Sequence, residues 1–370
     1  VLFIPIIIGS HWIFPWRHGD WVDSDDILKN KQVYLNLPFF VGRAVLYFII
    51  WTVLAGNLRR WSLQQDTGNH PETKQKMASM SGPGLLLYFL TVTFVSVDWV
   101  QSRDPHWYST VQGLLISVGM SLSGMAFMIV LLNLITRHHV FIRQPHGPDL
   151  VTSDELPLAD FSTQARLNDL GNFLFMLVIL WAYMATAQLV VIWMGNTNED
   201  ITWYTERGMD AVRPNGWRWY GLALVILHFF VPFLLLLSRF NKRRLWILGA
   251  IALGVFIMRA FDMIWLFNPT NINPHATDLA ASIGSGPLDI LWSLIAPLGI
   301  GGLWFGGFVR ALESRPIIPP YDPQTDELIV PDPQLAHSGG QAEAGIHTPH
   351  ENTRARGFGE LSSEGGTAHA

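Results

Sequence analysis

The sequence predicts an all-α membrane protein, a polytopic helical bundle with about eight transmembrane helices. Three observations predict it. Of 370 residues, 49% are hydrophobic and only 14% are charged. Residues 108–136 and 170–198 contain no Asp, Glu, Lys, Arg or His at all. Ionisable residues then sit inside or at the ends of the other apolar runs, where a charge is costly and marks function. A bilayer core takes about 20 apolar residues in helical form, and backbone groups in lipid must bond to one another, which makes these runs helices. The mean hydropathy of +0.26 is modest because a polar tail rich in Gly, Pro, Ser and His follows Arg315. The domain expectation is therefore a bundle over residues 1–315 and a tail over 316–370.

The elements follow in order. Residues 1–14 form an apolar run that reaches about 21 Å as a helix, short of the ~30 Å core. No basic stretch and no small-residue cleavage site precedes His11 and Trp12, which argues against a signal peptide. We expect this run to be the second half of a helix, with the N-terminal helices of the fold missing from the sequence. Full spans are expected at 35–58, 84–100, 108–136, 170–195, 217–238, Leu245–Phe267 and 288–312. Arg43 lies near one end of the first of these. Asp98 closes the second, and the short link 101–107 after it holds Asp104 and His106. The link 137–166 is long and contains Pro145, Pro148 and Pro157. Asp169 opens the helix that follows. His228 sits mid-span, and Pro232 one turn on deprives the His228 carbonyl of its usual donor. Arg259 and Asp262 are three apart, on one helix face where they can pair. Asp289 opens the last span. The glycines Gly299, Gly301, Gly302, Gly306 and Gly307 in that span fit close helix packing.

Loop charge gives an orientation. One set of loops carries Arg59, Arg60, Lys74, Lys76, Arg137, Arg143, Arg166, Arg239, Lys242, Arg243 and Arg244. The other carries Arg17, Lys29, Lys31, Arg103, Arg207, Arg213 and Arg218. The positive-inside rule places the richer set, and with it the C-terminal tail, in the cytoplasm. The 16 Trp suit the belts at the two membrane surfaces.

Several chemistries are excluded. The net charge of −5 and the lack of a basic run leave no case for nucleic acid. With 0 Cys, the chain has no disulfide, no Cys-ligated iron–sulfur cluster and no covalently attached c-type haem. No phosphate-binding loop or dinucleotide glycine pattern is present. Paired His ligation of a b-type haem would need His11, His106 or His228 from separate helices, at depths that do not match.

Asp98, Asp104, His106, Asp169, His228, Arg259, Asp262 and Asp289 remain as candidates for a proton path or a quinone site. Several of these charged groups have a plain structural reading beside the functional one. Asp289 and Arg43 can snorkel to water, Arg259 and Asp262 can stitch two helices together, and His228 can bond across a helix interface. Asp98 and His106 bracket a tight turn beside Trp99, Trp107 and Tyr108, an arrangement suited to passing protons or holding a quinone headgroup.

The segment 96–110, SVDWVQSRDPHWYST, resembles a signature of the second NrfD-like, polysulfide-reductase-type membrane subunit of bacterial alternative complex III, a quinol:cytochrome c oxidoreductase. Arg103 departs from it, standing where an apolar residue is expected. The resemblance implies a family fold of ten helices in two four-helix bundles plus a peripheral pair. It implies partners: a sister NrfD-like subunit, iron–sulfur and multihaem cytochrome subunits, and lipids. Haem and iron–sulfur clusters are then expected in those partners and no redox cofactor in this chain. Quinol is a possible ligand and a proton path the expected role, in a bacterial cytoplasmic membrane. Asp98, Asp104 and His106 fall within the motif; the other candidates come from depth and charge alone. The competing classes are a secondary transporter or ion channel, weakened by the lack of an inverted repeat, and an NrfD-like anchor of another membrane oxidoreductase.

Overall fold

Away from water the backbone must close its own hydrogen bonds, and the apolar runs fold accordingly. The computed structural model describes residues 3–65, 70–137, 164–209, 216–267 and 287–313, all within the compact unit Val1–Asp322. Among the described residues every regular element is helical, and 7 helices are long and apolar enough to cross a bilayer. They are α1 (Leu37–Gln65), α2 (Pro71–Arg103), α3 (Val111–Arg137), α4 (Gln164–Gly195), α5 (Trp217–Leu237), α6 (Leu245–Phe267) and α7 (Pro287–Glu313). The chain is thus an all-α, multi-pass membrane protein. The tail 316–370 and most of the link 137–166 lie outside the described residues.

The eighth expected element differs. Its described residues, 3–14, do not form one unbroken helix: the helix Ile4–Ile8 breaks at Gly9, a short helix Ser10–Ile13 follows, and Pro15–Arg17 closes as a 3-10 turn. Pro15 lacks the N–H that would continue the helix. Phe14 and Trp16 fold inward instead, and together with Val22, Leu28 and Leu35 they pack on Phe40 of α1.

The main core lies between α3, α4, α5 and α6, around Leu122, Ala126, Leu174, Val178, Leu248 and Ala252. α3 and α6 are its centre: 44% of the apolar window of each is buried, against 17% for α1 and 0% for α7. α1 and α2 pair beside α3. α7 meets the bundle through Trp304, Phe305 and Phe308 around Phe127. Its glycines do not serve the close packing expected of them, since a Cβ at Gly299, Gly301, Gly302, Gly306 or Gly307 would meet nothing within 4 Å. The close approaches are elsewhere. A Cβ would come within 2.7 Å of Thr93 at Gly113, of Lys242 at Gly171 and of Asn133 at Gly249.

Those contacts also fix the direction of the helices. Gly113 meets Thr93, and Gly221 meets Trp265, at one end of the bundle; Gly171 meets Lys242, and Gly249 meets Asn133, at the other. Consecutive spans from α2 to α6 are therefore antiparallel. The two ends are called below the Asp98 end and the Lys242 end. Two of the helices widen by one residue per turn: α2 has a π turn over Ser96–Val100 and α5 one over Val225–Phe230. Such turns recur at functional sites because they re-aim a side chain, and here they carry Asp98 and His228.

Candidate functional site

Asp98 is fully buried. It does not face His106. Its carboxylate accepts from Arg43 of α1, with Nη2 at 2.8 Å and Nε at 3.0 and 3.2 Å, and from the Tyr47 hydroxyl at 2.8 Å. The Arg43 guanidinium also donates to the Tyr34 carbonyl at 3.0 Å and lies over the rings of Tyr34 and Phe39. Burial, and next the Asp98 carboxylate, push the Tyr34 phenol up to about 12. The Ser102 hydroxyl donates to the Asp98 carbonyl, which holds the π turn. Arg43 is thus turned into the protein rather than out to water. Every oxygen of Asp98 has a donor, so the cluster is a closed, satisfied ion pair that ties α1 to α2.

His106 is half-exposed and pairs with Asp25, at 2.6 Å. Beside it, Lys31 donates to the Pro105 carbonyl at 2.5 Å. The two contacts clamp the N-terminal segment to the 101–107 turn. Asp104 belongs to another group. Burial raises its carboxyl and the charge of Arg207 opposes the rise. Burial, and next the Asp104 charge, push Glu206 up to about 7. Arg207 is 1% exposed, and burial lowers it to about 9 while Glu206 acts in the opposite sense. Its guanidinium donates to the carbonyls of Trp203 (2.7 Å), Trp265 (3.1 Å) and Leu266 (2.9 Å) and lies 3.5 Å from the Trp203 ring centre. Arg103 donates to the next carbonyl, Phe267, at 3.0 Å. A helix leaves its last carbonyls without partners and its C-terminus partly negative. Two arginines supply what the end of α6 lacks.

The remaining candidates converge. Arg259 and Asp262 pair on α6 as the spacing predicts, and both are buried. Trp181 of α4 donates to the Asp262 carboxylate at 3.2 Å. Its ring meets His228 of α5 edge-on, with centroids 4.3 Å apart. His228 reaches this position because Pro232 removes a hydrogen bond and the helix widens; the N–H of Val231 bonds instead to Ile226, five residues back. Gly119 of α3 leaves the space that the Arg259 guanidinium fills. Above this group, toward the Asp98 end, lies a cavity of about 660 Å³. Asp262, Gln188 and Arg207 line it among the rings of Trp181, Trp193, Trp203, Trp217, Trp219 and Trp265. Two lining residues have a buried polar atom with no hydrogen-bond partner among the described residues, Gln188 Oε1 and Trp265 Nε1; in the group beneath, so do both ring nitrogens of His228 and Arg259 Nη2.

A smaller apolar cavity of about 440 Å³ lies toward the far side, between α1 and α2 around Trp51, Leu58, Met80 and Tyr88, and shares no lining residue with the first. Between the Asp262–His228 level and the Lys242 end stands the apolar layer of Leu122, Ala126, Leu174, Val178, Leu248 and Ala252. Asp169 is exposed at the start of α4, beyond that layer, and is not joined to His228. Asp289 falls in the first turn of α7, and its side chain lies outside the described residues. The structure therefore brings together Arg259, Asp262 and His228. It sets Asp98 and Asp104 in two other clusters, and leaves His106 and Asp169 at the surface. Sequence reasoning did not single out Trp181, Gln188, Arg207 or Glu206. Trp181 and Gln188 look like ordinary members of an uncharged span. Arg207 counts as a loop charge until the end of α6, 58 residues on, is seen to receive it.

No protein-family model and no curated protein matches the chain by sequence.

Proposed function

We propose that this chain is a membrane subunit of a quinol:electron-acceptor oxidoreductase of the alternative complex III type, and that Asp262 and His228 form the buried end of a proton path open at the Asp98 end alone. The resemblance of segment 96–110 supports the first part. The observation that carries the second is the Asp262 carboxylate, buried at the wall of a largely aromatic cavity in which Gln188 Oε1 and Trp265 Nε1 have no partner among the described residues, with the unpartnered His228 ring nitrogens close by. Polar atoms in such a place take up internal water, which bridges titratable groups too far apart to touch. Arg259 and Trp181 hold the Asp262 carboxylate in place, and His228 presents ring nitrogens that have no partner among the described residues and can exchange hydrogen bonds with internal water. The apolar layer below prevents a leak across the membrane. By the loop charges the open end faces outward, on the side where a quinol oxidised in the complex releases its protons. Electron carriage belongs to haem and iron–sulfur partners.

The test is Asp262→Asn in the purified complex, reconstituted into vesicles. Quinol:cytochrome c electron transfer is expected to continue while proton release per electron falls. An unchanged ratio at normal turnover would remove Asp262 from the path. The breaks in α5 also favour a second reading, a secondary transporter, because broken helices line substrate sites in that class. That reading predicts no redox partners co-purifying and no quinol-dependent reduction of cytochrome c.

A further inference from the structure

At the Lys242 end, opposite the cavity, the chain turns from α5 to α6 through Ser238 and the single helical turn Arg239–Lys242. Four cations fall within these few residues, and they do two different things. Lys242 points inward: it is 7% exposed, donates to Asn172 of α4 at 2.6 Å and lies against Gly171. Asn241 donates to the Leu235 carbonyl at 2.8 Å and closes the end of α5. The connection is thereby held to the bundle. Arg239, Arg243 and Arg244 point outward and are exposed, with no carboxylate within ion-pair distance among the described residues. Arg244 is already placed, its guanidinium 3.8 Å from the Phe240 ring centre. The Arg244 carbonyl accepts from the N–H groups of Ile247 and Leu248 at 3.1 and 2.9 Å, so the partly positive start of α6 lies beside the guanidinium. Immediately around the arginines the surface is apolar and exposed: Leu234 61%, Leu237 53%, Phe240 56% and Trp246 58%.

We infer that this connection is a binding site for an anionic phospholipid. The guanidiniums of Arg239, Arg243 and Arg244 hold the phosphate at the membrane surface, and Leu237, Phe240 and Trp246 hold the acyl chains below it. The combination selects the ligand. Guanidinium forks match phosphate oxygens, and only an amphiphile satisfies the arginines and the apolar belt at once. A soluble anion would use the first and leave the second unused.

The test uses the purified complex, delipidated and placed in nanodiscs. Binding of phosphatidylglycerol is measured by native mass spectrometry and by its effect on thermal unfolding, with phosphatidylcholine and inorganic phosphate as controls. Phosphatidylglycerol is expected to bind and stabilise; the controls are not. Removing both charges in R243Q/R244Q is expected to weaken phosphatidylglycerol binding about thirtyfold, at roughly a factor of five per basic residue near an anionic headgroup. R243K/R244K keeps the loop charge that sets orientation but loses the paired donors, and is expected to fall between the two. Wild-type binding by R243Q/R244Q, or stabilisation by inorganic phosphate equal to that by the lipid, overturns the proposal. So does loss of a partner subunit from R243Q/R244Q with lipid binding unchanged, which would assign the surface to a protein contact.

Discussion

Arg43 and Asp98 are buried together, so removing one strands the charge of the other. Replacing Arg43 by Met leaves the Asp98 carboxylate with only Tyr47 as a side-chain donor, and losing one partner of a buried pair costs about 3–5 kcal/mol. Replacing both, Arg43→Met with Asp98→Leu, removes the charges and their desolvation cost together. We expect the single variant to unfold at a clearly lower denaturant concentration than the wild type, and the double variant to recover most of the loss. Equal loss in the two would show that the cluster contributes through packing and not through its charges. His228 behaves differently, because its ring nitrogens have no hydrogen-bond partner among the described residues. His228→Phe keeps the edge-on contact with Trp181 and removes no protein hydrogen bond. Its stability is expected to change by less than about 1.5 kcal/mol, while proton release per electron falls as for Asp262→Asn. A large drop in stability would mean that the imidazole is structural.

Helix α5 owes its break to one residue. Pro232 cannot donate to the His228 carbonyl, and the turn widens to place the imidazole beside Trp181. Pro232→Ala returns the donor, and removing a proline from a helix interior is worth up to about 3 kcal/mol. The expected result is a more stable protein with a less effective proton path, read from the unfolding midpoint and the proton-to-electron ratio of the same preparation. At the α3–α6 contact the constraint is space. Gly119 admits the Arg259 guanidinium; a Val there forces the arginine away from Asp262, and overpacking of this kind costs about 1–3 kcal/mol. Gly254, on the same helix as Arg259 but with nothing within 4 Å of its Cβ position, is the control that should accept Ala without loss.

Across the whole molecule, acid–base behaviour is uneven. Near the mouth of the cavity, burial raises Asp104, and it raises Glu206 from 4.5 to about 7, with Asp104 adding to the rise. A carboxyl whose value is higher folded than unfolded binds its proton more tightly in the folded state. Its contribution is complete below pH 4.5 and is lost as pH rises through about 7. The unfolding midpoint of the full chain should therefore fall over that window, and Glu206→Gln should flatten the slope. A midpoint that rises with pH over the same window in the wild type would refute the assignment. The two ends of the bundle also differ in kind. The Asp98 end holds aromatic rings, buried carboxyls and the cavity. The Lys242 end presents the exposed Arg239, Arg243 and Arg244 beside an apolar belt, and an apolar core keeps the two apart.

The spans themselves are a local property. Hydropathy over about 20 residues decides whether a segment enters a bilayer, and seven of the spans read from the sequence are helices. The pairing of Arg259 with Asp262 is equally local, because three residues along one helix bring the two side chains together without help from the rest of the chain. The placement of His228 follows from Pro232, four positions away. Segment 1–14 misled because apolar composition does not register the break at Gly9 and Pro15. What the sequence could not contain is the choice among partners far apart in the chain. Asp98 has His106 as a neighbour in sequence and Arg43, 55 residues earlier, as its counter-ion. Helix packing delivers Arg43 to the inside of the π turn, while the 101–107 turn carries His106 to the surface. The same holds for Arg207 on the α6 carbonyls, for Trp181 on Asp262, and for the glycines, where Gly113, Gly171 and Gly249 made the close contacts that Gly299–Gly307 did not. A cavity and its sealed floor exist only once four helices have met, since each contributes one face and none encloses a volume alone.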